Sequence, residues 1–109
     1  MPIETISDLL AAYDRNFVPE RAEGIEGTVQ LNLTGEDGGN YVLHFADKTY
    51  RSEEGEIEDP TVRVTADTKD WMDVSLGNVN PMMLMMKGKL KVKGSVALAT
   101  KFQSLFKGK

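Results

Sequence analysis

Cysteine is missing from this 109-residue sequence. That absence excludes disulfides, thiolate nucleophiles and cysteine metal sites, and it suits a cytoplasmic address. Histidine occurs once, at His44, so a zinc site has no second imidazole to recruit. Long apolar runs are also lacking. The longest is Met82 to Met86, far below the roughly 18–20 residues that a membrane-spanning helix needs. The opening Met1-Pro2-Ile3-Glu4-Thr5 has neither the basic nor the apolar stretch of a secretory signal. No linker, internal repeat or low-complexity segment interrupts the chain, so residues 1–109 read as a single domain.

What is present is a globular balance, with 40% apolar and 28% charged residues. The net charge of −4 conceals a sharp division. All 17 acidic residues lie within residues 1–86, whereas residues 87–109 carry seven lysines and no acid. A two-faced electrostatic surface follows. The overall acidity argues against nucleic acid as a partner.

Periodicity sets the order of elements. Ile6, Leu9, Leu10, Tyr13 and Phe17 recur at helical spacing behind a Thr5/Asp8 capping pair, and Pro19 ends that helix. Val29, Leu31 and Leu33 then alternate with polar residues, as do Tyr41, Leu43 and Phe45 after the turn Gly35 to Gly39. Asp47-Lys48 offers a tight reversal into a third strand over Thr49 to Ser52, and Val62, Val64 and Ala66 mark a fourth. Short connections predict an antiparallel meander of these four. Thr68 is the expected cap of a helix containing Trp71, Met72, Val74 and Leu76, which Gly77 closes. Asn80-Pro81 opens a short helix that Gly88 stops. Lys89 to Lys93 predicts a fifth strand, joining the sheet in parallel with a neighbour. Gly94-Ser95 starts a last helix with Leu98, Ala99, Phe102, Leu105 and Phe106 in one stripe.

The run Met82-Met83-Leu84-Met85-Met86 points apolar side chains in every direction, because successive helical residues sit about 100° apart. It is either a core plug buried on all sides or the lining of an apolar space, and methionine adapts to both uses. Trp71, Met72 and Leu76 before it, and Phe102, Leu105 and Phe106 after it, fit one shared apolar face.

Here the sequence resembles a family. Gly77-Asn78-Val79-Asn80-Pro81, Gly88-Lys89-Leu90-Lys91-Val92-Lys93-Gly94 and Leu98-Ala99-Thr100-Lys101-Phe102 with Leu105 are similar to the signature region of sterol carrier protein domains, also called non-specific lipid-transfer domains. Upstream, Phe17-Val18-Pro19-Glu20, Gly24 with Gly27, and Gly38-Gly39 before Tyr41 look like the free-standing prokaryotic members. The resemblance implies an α+β fold, with a five-stranded, mostly antiparallel mixed sheet. Helices would pack on one sheet face and enclose a hydrophobic tunnel. It further implies non-catalytic binding or transfer of a fatty acid, acyl-CoA, phospholipid or sterol-like ligand. The alternative is an accessory interaction or dimerisation module for an enzyme of lipid or quinone metabolism. The expected lipid-binding residues are Trp71, Met72, Leu76, Met82, Met83, Met85, Met86, Leu98, Phe102, Leu105 and Phe106. Two departures stand out: the chain ends Lys107-Gly108-Lys109, not in a peroxisomal signal, and four methionines follow Asn80-Pro81.

Lys89, Lys91 and Lys93 alternate with Leu90 and Val92, so their ammonium groups share the strand face opposite the core. They are either a headgroup or anionic-membrane contact or a solvated face guarding a sheet edge. Lys87, Lys101, Lys107 and Lys109 extend the basic region. His44 reads as a structural or surface residue. The acids Glu53, Glu54, Glu56, Glu58 and Asp59 read as a solvated loop without a calcium pattern. No cofactor, metal or catalytic residue is expected, and the protein is expected to be a monomer or weak homodimer.

Overall fold

The computed structural model describes residues 3–106. Helix α1 spans Ile6–Asn16, and its start is a full capping box. Asp8 N–H donates to Thr5 Oγ1 at 3.1 Å, and Thr5 N–H donates back to Asp8 Oδ2 at 3.2 Å. The backbone N–H groups of Glu4 and Thr5, both donating to Oδ2, hold the Asp8 carboxyl below the usual carboxylate range. A 3₁₀ turn over Pro19–Ala22 follows. Strands β1 (Gly27–Thr34), β2 (Gly39–Ala46) and β3 (Thr49–Glu54) then form the expected meander. Asp47 and Lys48, with φ of 52° and 61°, build the tight reversal between β2 and β3.

The meander ends there. Strand β4 (Val62–Asp67) crosses to the far side of β1 and pairs with it in parallel. Strand β5 (Leu90–Gly94) pairs with β4 antiparallel, giving the order β3-β2-β1-β4-β5. Two expectations are corrected here: β4 does not extend the meander, and the one parallel pair is β1/β4, not a pair made by β5. The cause is the segment of residues 55–61. It crosses the outer sheet face beneath which Gln30 lies fully buried. The Gln30 amide donates to Gly55 O at 2.9 Å and to Tyr41 O at 3.2 Å, and accepts from Ile57 N–H at 2.9 Å. Every polar atom of this buried amide is therefore used in fixing the crossing.

Helices α2 (Thr68–Ser75), α3 (Pro81–Met86) and α4 (Val96–Phe102) return to the other face. The cap of α2 is Asp67, which accepts from Lys69 N–H at 2.9 Å. Thr68, expected in that role, is buried and donates instead to Thr34 O at 3.0 Å, stitching the helix to the end of β1. Gly94 has φ of 114°, and a Cβ there would strike the Thr61 carbonyl, so only glycine ends β5 without strain. Ser95 Oγ then accepts from Leu98 N–H at 3.1 Å and starts α4. The core lies between the inner sheet face (Val29, Leu31, Leu43, Phe45, Val62, Val64) and the helices. Among the described residues no helix is long and apolar enough to cross a membrane.

Candidate functional site

Two apolar regions were expected to share one site, and the structure treats them differently. The first is α3. Asn80 Oδ1 accepts from Met82 N–H at 2.9 Å, and Gly88, with φ of 74°, ends the helix. Only Leu84 reaches the core, at 7% exposure. Met82, Met83, Met85 and Met86 are 62%, 52%, 43% and 86% exposed. Of the two readings of this run, the core plug buried on all sides is therefore not found. A helix of six residues has one foothold on the body, and the side chains about 100° either side of it turn outward.

The second region is the C-terminal segment. Leu98, Phe102, Leu105 and Phe106 are all buried, as are Trp71 and the side of α2 that it occupies. Met72 and Leu76 are half-buried at the margin. Phe102 and Phe106 stand 5.4 Å apart and lead into a continuous network of rings. Phe102 meets Tyr13 at 5.6 Å, Trp71 at 5.9 Å and Phe45 at 6.1 Å. Phe106 meets Tyr13 at 4.8 Å, Tyr50 at 5.4 Å and Phe17 at 5.9 Å. Edge-to-face and tilted contacts of this kind add stabilisation beyond burial of area. Tyr13, Phe17 and Phe45 were read from the sequence as apolar-face positions of the first helix and second strand, and Tyr50 fell within the third strand with no face assigned. Their convergence on Phe102 and Phe106 depends on the fold, so pattern alone could not assign them to the site.

The tunnel that the resemblance implies is not shown. Between sheet and helices stand these rings, and they are tied down. Phe17 and Phe106 form an isolated antiparallel bridge, and Val18 N–H donates to Leu105 O at 2.9 Å. The Arg21 guanidinium donates to Ser104 O and Phe106 O, both at 3.3 Å. Polar atoms within the layer are few. The Tyr13 hydroxyl lies 2.8 Å from Ser75 Oγ, and burial pushes its pKa up to about 12 despite that contact. Burial also raises the Tyr50 hydroxyl. Among the described residues the indole Nε1 of Trp71 has no hydrogen-bond partner.

The lysines stand where alternation puts them. Lys91 and Lys93 lie opposite Thr65 and Arg63 on the outer face of β5, exposed, while Leu90 is buried beneath. Lys89 precedes the strand, is exposed, and its N–H donates to Leu84 O at 2.9 Å. Lys107 and Lys109 lie outside the described residues. Lys89 and Lys91 border an open groove of about 390 Å³ with Thr65, Asp67, Asp70 and Gly88. Two carboxylates and two ammonium groups stand in its lining. His44 sits half-buried on the outer face, 3.3 Å from Glu53 Oε2. Arg51 approaches the same oxygen at 2.7 Å and, with His44, holds the Glu53 carboxyl below its ordinary range. Among the described residues no group of acids and histidine is arranged to hold a metal ion.

A family model, that of the SCP-2 sterol transfer family, matches residues 6–107. Hydroxysteroid dehydrogenase-like protein 2 of Rattus norvegicus is 36% identical over 87 residues, covering 79% of this chain and 17% of its own. The chain thus spans less than a fifth of that relative. Among solved structures, the palmitated SCP2L2 of Aedes aegypti superposes with a TM-score of 0.71 at 24% identity, covering 95% of this chain and 93% of its own. The sec-alkylsulfatase Pisa1 of a Pseudomonas species reaches 0.84 at 14% identity, over 97% of this chain and 17% of the sulfatase. Both likenesses are of fold.

Proposed function

Because the chain belongs to the SCP-2 sterol transfer family, we propose that it binds an acyl or sterol-like lipid between its sheet and its helices and catalyses no reaction. The observation that carries this reading is the ring network under α4. An apolar layer of Trp71, Leu98, Phe102, Leu105 and Phe106 is held shut by a few hydrogen bonds to residues 18 and 21. Met72 and Leu76 would extend it at the margin. A hydrocarbon chain enters by displacing rings, and each methylene leaving water contributes roughly 0.8 kcal/mol. An acyl chain of ordinary length thus offsets the loosening of several ring contacts. Met82, Met83, Met85 and Met86 would stand at the mouth, where flexible thioethers adapt to varied chains. The likeness in fold to a palmitated relative fits this use.

A fluorescent fatty acid tests the reading. Saturable binding is expected at micromolar concentration or below. Phe102→Asp should abolish it, and Met83→Asp, at an exposed position, should weaken it without unfolding the chain. Saturable binding that survives both changes would remove this site, and no binding of any acyl or sterol ligand would remove the function.

A second reading is favoured by one observation. The rat relative and the sulfatase each devote only 17% of their length to this domain. The unit would then serve a larger enzyme as an accessory or dimerisation module. Native mass measurement separates the two: a lipid carried through purification supports the first, a clean dimer of empty chains the second.

A further inference from the structure

The exposed methionines of α3 have no counterpart elsewhere on the surface; among the described residues they are the large apolar side chains left open to water. A patch of four on one short helix is a contact surface waiting for an apolar phase. What surrounds it identifies the phase. From Val74 to the chain end the sequence contains no acid. Lys87 caps the C-terminus of α3, and Lys89 follows one glycine later. Lys91 borders the same groove as Gly88 and Lys89, which extends the basic surface from the end of the helix onto β5. None of these three lysines makes an ion pair among the described residues. Of the two acids in that groove, Asp67 is occupied in capping α2.

We propose that α3 docks on an anionic lipid bilayer, with Met82, Met83, Met85 and Met86 entering the headgroup boundary and Lys87, Lys89 and Lys91 meeting lipid phosphates. Apolar side chains ringed by lysines are the pattern that partitions into such an interface, since burial and charge attraction act together. A second copy of this chain is less suited, because pairing α3 with itself brings the two sets of lysines together. The β3 edge of the sheet is excluded by its charge: Glu4 and Asp14 are exposed before and on α1, and Glu53 and Glu54 at the end of β3 lead into exposed Glu56, Glu58 and Asp59. The proposal concerns the outside of the molecule and stands whether or not the apolar layer takes a cargo.

Flotation of the full chain with vesicles of phosphatidylcholine mixed with phosphatidylglycerol, compared with phosphatidylcholine alone, is the test. Binding is expected to the mixed vesicles, to weaken as salt rises, and to be at least about tenfold poorer on the neutral ones. Replacing Lys87, Lys89 and Lys91 by Gln should cost about a hundredfold. Met82→Ser with Met86→Ser, which keeps every charge, should cost about tenfold or more. Circular dichroism controls for folding, and all these side chains are exposed. The chain has no cysteine, so Met86→Cys carries a single nitrobenzoxadiazole dye whose emission should shift to the blue on mixed vesicles and resist aqueous iodide. Equal binding to both vesicle types, no binding to either, or full binding by the serine variant would overturn the proposal. So would a blue shift that rises with protein concentration alone, together with a dimer in sedimentation, since the occupant would then be a second copy.

Discussion

Helix α3 and the segment from α4 to Phe106 are both rich in apolar residues, yet one is bare and the other sealed. The difference lies in geometry, not hydrophobicity. α4 lies along the sheet and continues into a turn that brings Leu105 and Phe106 under the rings of α1, β2 and β3. α3 sends Leu84 alone into the core. The contrast teaches that the length and seating of a short helix decide whether its apolar residues fill a core or meet something outside.

The contrast can be broken most directly at Phe102. Phe102→Ala should destabilise the chain by about 3–5 kcal/mol, because it removes a ring that touches several others and leaves a cavity. Urea unfolding reads the loss; a change below about 1 kcal/mol would mean that the ring layer is already loose. Leu84→Ala should cost about 2 kcal/mol, at the low end for such a change because α3 can settle. Its signature is local: amide exchange over residues 81–88 should rise more than elsewhere. The buried hydroxyl of Tyr13 sharpens the comparison through pH. Its pKa is raised from 10.0 to about 12 in the folded chain, so the unfolded chain ionises first. The stability it confers is fully present below pH 10 and is lost as pH rises towards 12. Alkaline titration of tyrosinate absorbance, compared with Tyr13→Phe, checks this. Thr5→Ala, which removes one half of the α1 capping box, should cost about 1 kcal/mol. Least affected should be Met86→Ala, within about 0.5 kcal/mol. A large loss there would show that α3 is seated more deeply than its exposure indicates.

Much of this fold is legible from period and punctuation. The alternation of Val29, Leu31 and Leu33, the Asp47-Lys48 reversal and the Asn80-Pro81 helix start are local signals, and each produced the element it predicts. The strand order was not legible. It depends on Gln30 capturing Gly55 and Ile57, a contact across more than twenty residues that no window of periodicity contains. Thr68 and Asp67 differ as caps for a related reason, since the Thr68 hydroxyl is drawn away by the end of β1. Of the candidate site, the stripe Leu98, Phe102, Leu105 and Phe106 was readable as one buried face. Its partners Tyr13, Phe17, Phe45 and Tyr50 come from three distant elements. The orientation of the methionines was illegible because five apolar residues in a row carry no phase information.

The buried Gln30 amide has an electrical consequence. By pinning residues 55–57 across β1, it lays the acidic crossing from the β3 edge towards β4, with Glu56 at 3.7 Å from Arg63, while β5 carries its lysines at the opposite edge. The sheet therefore has a permanent charge separation along the direction in which its strands stack. A molecule built this way experiences a torque near a negatively charged plane and turns its lysine edge forward before any contact is made.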